Sequence, residues 1–147
     1  LIVGLIGYVS YGNSSVNPKH RKASKDAIRR TAVVLRHAHK KVKENKVYTG
    51  NLLKAVRHQR AARTFWKAGR YGRALWHTRK SRQLAFLAIK ANKGTVDKAW
   101  EVGKDENISG ENQPTDEELE KELPVLNITE EELINAELEE IDLGAEE

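Results

Sequence analysis

Apolar residues recur at helical spacing through the middle of the chain, between residues 24 and 103. In the first stretch they share one helical face, at Ile28, Ala32, Leu35, Ala38 and Val42. This period predicts an amphipathic helix. Ser24 is a suitable N-cap for that helix, and the pattern ends near Asn45.

Two longer helices and one short helix are predicted after the first. Glycine interrupts helices, so the glycine positions mark their ends. The predicted spans run from Leu52 to Gly69, from Tyr71 to Lys93-Gly94, and from Thr95 to Gly103. Together these elements predict an all-α fold, in which residues 24–103 form a small, basic helical bundle.

The junction between the second and third helices has an ordered set of small and aromatic residues. Within residues 55–88, Gly69 to Leu75 match the sequence motif G-x-Y-x-x-A-(I/L). The full set is Ala62, Phe65, Gly69, Tyr71, Ala74, Leu75 and Ser81. This segment resembles one degenerate repeat of the tetratricopeptide family, although Phe86 replaces the family's terminal proline and Trp66 is off its usual tryptophan position. The resemblance implies a helical hairpin that binds peptides or other proteins. One repeat alone implies a small bundle or docking onto something larger.

The first twelve residues form an uncharged apolar arm, followed by a polar, basic linker at residues 13–23. The arm is shorter than the about 20 residues that a membrane span needs. It is therefore the remnant of a signal or membrane anchor, an arm that inserts into a partner, or a segment buried on the chain's own helices. Its candidate docking residues are Leu1, Ile2, Val3, Leu5, Ile6 and Tyr8.

The last part of the chain, residues 104–147, is an acidic tail. Two T-x-x-E sequences, at Thr115–Glu118 and at 129–132, predict capping boxes that each begin a short amphipathic segment. Isolated helices of this length are marginal in water, so we expect a partly disordered tail whose segments fold on docking. The candidate docking residues are Leu119, Leu123, Leu133, Ile134, Leu138 and Ile141.

Charge divides the chain at about the same place. Residues 1–103 contain 24 Lys and Arg against 4 Asp and Glu, whereas residues 104–147 contain 2 Lys against 17 Asp and Glu. The basic body predicts contact with an anionic surface: nucleic acid, lipid headgroups, glycan or an acidic protein face. The tail either masks this surface or reaches another subunit. The candidate residues are Arg57, Arg60, Arg63, Lys67, Arg70, Arg73, Arg79, Lys80 and Arg82.

The histidines are the main candidates for chemistry. His58 and His77 occupy equivalent positions in a pattern repeated 19 residues apart, which would let them face each other across a hairpin. The alternative is chance repetition in a helical sequence rich in arginine and alanine. The chain has no cysteine, and carboxylates are scarce in its basic half, so we expect no metal site and no cofactor. No carboxylate pair lies on a helix face of the basic body, and no nucleophile motif or phosphate loop is present, which predicts a protein that is not an enzyme.

These observations lead to three functional hypotheses. The first is a non-catalytic accessory or adaptor subunit that docks into a larger, membrane-associated assembly through its helical domain and extended termini. Its partners are other protein subunits, and it is exported or membrane-associated, or cytoplasmic if the arm is not the remnant of a signal or anchor. The alternative is a nucleic-acid binding protein with a masking acidic tail. The third hypothesis is a cell-envelope protein that binds anionic glycan or lipid.

Overall fold

The structure, a computed structural model, describes residues 18–107 and 113–137. These residues form helices and turns without a strand, which confirms the predicted all-α fold. No helix in this part of the chain is long and apolar enough to cross a membrane. The predictions for the apolar arm, and for Leu138 and Ile141, lie outside the described residues. The helices are α1 (Pro18–Asn45), α2 (Asn51–Lys67), α3 (Tyr71–Ala91), α4 (Asp116–Lys121) and α5 (Glu130–Asn135).

Helix α1 begins six residues earlier than the predicted cap. Proline is well suited to a first helical position because its missing N–H has no partner there and its φ is already helical. The Ser24 hydroxyl does not cap the helix but donates to the carbonyl of His20 at 2.6 Å, one turn back. Residues 18–23 of the predicted linker are therefore the first turn and a half of α1, and their basic side chains lie on the bundle.

The ends of α2 and α3 follow their glycines. Gly69 adopts a φ of +80°, a conformation that costs glycine little, and the chain reverses there between α2 and α3. At the end of α3, Lys93 takes the left-handed conformation and Gly94 donates to the carbonyl of Ile89 at 2.9 Å. This pattern is a Schellman motif and ends the helix at the predicted position.

The three long helices form an up-down-up bundle. Gln59 on α2 donates to the Ile28 carbonyl of α1, and Ser81 on α3 donates to the Ala55 carbonyl of α2. Small residues let the helices approach closely enough for such side chain to backbone contacts. The apolar core between the helices contains Ala32, Val34, Leu35, Ala38, Val42, Leu52, Ala55, Val56, Leu84, Ala85, Ala88 and Ile89.

A buried ion pair joins the bundle to the segment that follows it. Arg82 is 1% exposed, and its guanidinium donates to the Glu106 carboxylate at 3.0 Å, to the Thr31 hydroxyl and to the Ala27 carbonyl. Arg30 also donates to Glu106, at 2.8 Å. Arg82 is therefore not part of the anionic-binding surface predicted above. Instead of a helix capped by Thr95, this segment contains two 3-10 turns, Lys98–Trp100 and Lys104–Glu106, the first capped by Asp97.

We expect Arg82→Leu to lower the free energy of unfolding by about 3 kcal/mol, because it leaves a buried carboxylate with one cation fewer. Arg36→Leu is the matched control, since Arg36 is exposed on α1, and we expect a change within about 0.5 kcal/mol. Urea denaturation at neutral pH measures both values. Equal stability of the two variants would show that the buried pair does not hold the segment to the bundle.

Candidate functional site: an acidic segment in a basic groove

Both predicted capping boxes of the tail are present. The Thr115 hydroxyl accepts from the Glu118 amide at 3.1 Å, and the Thr129 hydroxyl accepts from the Glu132 amide at 3.1 Å. In each box the glutamate carboxylate accepts from the threonine amide in return. These contacts start α4 and α5 at the predicted residues.

The tail segments pack on the chain's own bundle. Leu119 of α4 is 3% exposed, and Leu133 and Ile134 of α5 are each 2% exposed, the latter two within the main core. Leu123, between the two segments, is half-buried. In this state, three of the predicted partner-docking residues lie inside the chain itself, and they are not exposed to another subunit.

Four basic side chains of α2 and α3 contact α4 or the residues just after it. We call the surface formed by Lys54, Arg57, Arg73 and Lys80 the tail groove. Lys54 pairs with Glu120 at 3.0 Å, Lys80 with Asp116 at 3.1 Å, and Arg73 with Glu122 at 3.5 Å. The Arg57 Nε donates to the Pro124 carbonyl at 3.0 Å. Exposed ion pairs such as the first two contribute only about 0–1 kcal/mol each, so α4 is held weakly.

Helix α5 is held by different contacts. The Glu130 carboxylate accepts from the backbone amides of Gly50, at 3.2 Å, and Leu53, at 3.0 Å. Gly50 precedes α2 with no side chain to cap it, so the tail provides the acceptor that the N-terminus of α2 needs. The buried His39 ring also contacts the Leu133 carbonyl, through Nε2 at 3.2 Å.

A buried histidine pair lies beneath α4. The two Nδ1 atoms of His58 and His77 are 3.0 Å apart, and both side chains are fully buried. The His77 Nε2 lies 2.9 Å from the Glu122 carboxylate, and the Phe65 ring stacks on His77. A carboxylate only accepts, so neutral His77 carries its proton on Nε2 and accepts at Nδ1 from His58. The remaining nitrogen, His58 Nε2, is then a buried acceptor, and it has no hydrogen-bond partner.

The surroundings of the pair keep it neutral. Burial, and to a smaller extent the charges of His77 and Lys80, lower the pKa of His58 from 6.5 to about 3. Burial also lowers the pKa of His77, although its hydrogen bond to Glu122 acts in the opposite direction. The two rings meet nitrogen to nitrogen, which leaves no space for a cation between them. Among the residues that the structure describes, no group of three or more histidines and carboxylates is arranged to hold a metal ion.

The predicted basic residues divide between two places. Arg57, Arg73 and Lys80 belong to the tail groove, and Arg79 lies over the Trp76 ring. Arg60, Arg63, Lys67 and Arg70 lie near the C-terminal end of α2, where α1 begins and α3 follows. The contribution of α1 to this region was not predicted, because residues 13–23 have the polar, basic composition of a linker. We call this region the basic end and define it by Lys19, Arg21, Lys22, Lys25, Arg60, Arg63, Lys67 and Arg70.

Trp66 is at the centre of the basic end. Its indole N–H donates to the Arg21 carbonyl at 3.0 Å, which joins α2 to the start of α1. The Arg21 guanidinium lies 4.8 Å, and the Lys25 ammonium 5.6 Å, from the centre of its ring. Lys25, Ile28, Arg63, Trp66 and Lys67 line a small depression here, and none of these side chains is acidic.

Comparisons with protein-family models, with curated proteins and with solved structures found no match for this chain. The tetratricopeptide resemblance of residues 55–88 therefore stays a prediction.

We expect stability to fall as the pH drops from about 7 to about 5. The pKa of His58 is lower in the folded chain than in the unfolded one, so its stabilising effect is present above 6.5 and is lost as the pH falls towards about 3. Between about pH 6.5 and about pH 5, the titration of His58 alone should lower the free energy of unfolding by about 2 kcal/mol. In His58→Gln, which keeps a donor for His77, the decrease should be smaller by this amount, as measured by urea denaturation.

His20→Gln is the control for this experiment, because His20 lies in the first turn of α1, away from the pair. Identical pH dependence of the wild-type chain and His58→Gln would contradict the assignment.

Proposed function

We propose that this chain is a non-catalytic adaptor that docks through its basic end onto an anionic membrane surface and belongs to a larger, membrane-associated assembly. The observation that carries the proposal is the position of the basic end. It brings together eight basic side chains from the start of α1, the end of α2 and the turn before α3. A surface of this kind attracts anionic lipid headgroups, at about 1 kcal/mol for each Lys or Arg close to the membrane.

The sequence order supports a membrane as the anionic surface. Helix α1 begins at Pro18 within the basic end, and the apolar residues 1–12 precede it by only a short polar stretch. A polybasic region next to an apolar arm gives two separate contributions to membrane binding, and stable association usually requires two. Two acidic side chains lie beside this region, among the residues that the structure describes: Asp26 pairs with Lys22, and Asp105 pairs with Arg30.

The opposite end of the bundle is less suited to this role. Lys40, Lys43 and Lys46 are exposed there, but α5 brings three consecutive glutamates, Glu130–Glu132, to the same end. The two ends therefore differ in local charge although both contain lysines. This difference provides an internal control, since the same number of charges can be reversed at either end.

We expect the double variant Arg21→Glu/Lys67→Glu to bind vesicles containing phosphatidylserine at least about tenfold more weakly than the wild-type chain. Both residues are exposed. The matched control, Lys40→Glu/Lys43→Glu, changes the charge equally and should bind within about threefold of wild type. Co-sedimentation with vesicles of phosphatidylcholine, with and without phosphatidylserine, measures both. Binding that is independent of phosphatidylserine, or an equal loss in both variants, would contradict the proposal.

Nucleic-acid binding is the second candidate, and the surroundings of Trp66 favour it. Arginine and lysine around an aromatic ring suit phosphate contact combined with base stacking. If this is the function, a single-stranded oligonucleotide should bind the wild-type chain with a steep salt dependence. Arg21→Glu/Lys67→Glu should abolish that binding, as measured by fluorescence anisotropy. No binding at low salt would remove this candidate and leave the membrane proposal unaffected.

A further inference from the structure

We propose that the tail groove is a binding site for an acidic helical segment of a partner protein, and that α4 is an exchangeable occupant from the same chain. The surface involved is different from the basic end. The proposal therefore goes beyond the membrane docking argued above, and it holds whether or not the chain binds lipid.

The groove contains groups that need a carboxylate. Glu122 meets both the Arg73 guanidinium, at 3.5 Å, and the His77 ring, at 2.9 Å. Removal of α4 leaves a cation and a buried ring N–H without this acceptor, beside a second ring whose Nε2 already has no partner. A ligand that supplies a carboxylate at this position restores both of these contacts.

The contacts of α4 also describe the ligand. A carboxylate is required at the position of Glu122, an apolar side chain at the position of Leu119, and further acids at those of Asp116 and Glu120. The pattern is D/E-x-x-L-E-x-E on a short helix. Nucleic acid and lipid headgroups supply anionic groups but not the buried leucine. A protein segment supplies both, which is why we commit to a protein partner.

Helix α4 is held loosely enough to be replaced. The side chains of Asp116 and Glu120 are 72% and 49% exposed although they are paired, and α4 has six residues and one buried leucine. Helices of this length are marginal without packing. Helix α5, in contrast, buries Leu133 and Ile134 and caps α2 through Glu130. A partner segment can therefore displace α4 while α5 stays on the bundle.

The test uses the full chain and a fluorescent peptide of residues 113–126 as the probe. In Glu122→Lys, the introduced cation is repelled by Arg73, so α4 leaves the groove. We expect this variant to bind the peptide at least about tenfold more tightly than the wild-type chain. Glu117→Lys is the matched control, because Glu117 is exposed on α4 outside these contacts, and it should bind as the wild-type chain does.

A peptide with Leu119→Ala and Glu122→Gln should lose at least about tenfold in affinity for the opened chain. Equal binding of the peptide to Glu122→Lys and Glu117→Lys, or no binding to either, would overturn the proposal. A second outcome would also overturn the proposal: the wild-type chain forms concentration-dependent dimers, and Glu122→Lys abolishes them. The occupant of the tail groove is then a second copy of this chain. Light scattering after gel filtration distinguishes this outcome.

Hydrogen exchange of the wild-type chain provides a test without substitution. The amides of Leu119 and Glu122 donate the backbone hydrogen bonds at the two ends of α4. The Leu133 amide donates within α5, and the Leu53 amide donates to the Glu130 carboxylate. If α4 is exchangeable, its two amides exchange at least about tenfold faster than those of Leu133 and Leu53. Equal protection of all four amides would show that α4 leaves only when the chain unfolds, and would overturn the proposal.

Discussion

The buried ion pair between Arg82 and Glu106 shows the constraint on which this structure depends. A guanidinium inside a helical bundle needs an acceptor with a full negative charge, because removing it from water without one is very costly. The bundle itself contains few carboxylates, so the acceptor comes from the chain beyond it. The segment after α3 therefore packs against α1 and α3, and this contact determines its path.

The same constraint appears in two other places. The N-terminus of α2 has glycine at its cap position, and Glu130 of the tail accepts its amides. Arg73 and the buried His77 both meet Glu122. In each case a basic or hydrogen-bond donating group on the bundle is satisfied by a glutamate far away in sequence. The acidic residues after residue 103 therefore provide hydrogen-bond acceptors for polar groups of the bundle, and they also balance its total charge.

These three contacts differ in strength, and the difference matters for function. Glu106 is fully buried and Glu130 nearly so, whereas the side chain of Glu122 is 23% exposed and that of its partner Arg73 is 24% exposed. A segment whose contacts are partly exposed opens at lower free energy than one packed into the core. The tail therefore combines a firmly held part, α5, with a weakly held part, α4. The basic side chains that contact α4 are different from those of the basic end.

The sequence by itself determined the helical class, the ends of α2 and α3, and both capping boxes, because periodicity, glycine and T-x-x-E patterns act over a few residues. It also indicated that His58 and His77 face each other, since the repeat places them at matching positions on a hairpin. Only the tertiary structure decided that Arg82 is buried, that α1 begins at Pro18 and contributes Arg21 to the basic end, and that Leu119, Leu133 and Ile134 pack on their own chain. These features depend on contacts between residues up to 94 positions apart, for which local patterns carry no signal. A leucine on a short acidic helix looks the same in sequence whether it docks in its own chain or in another, and only the shape and charge of the receiving surface distinguish the two.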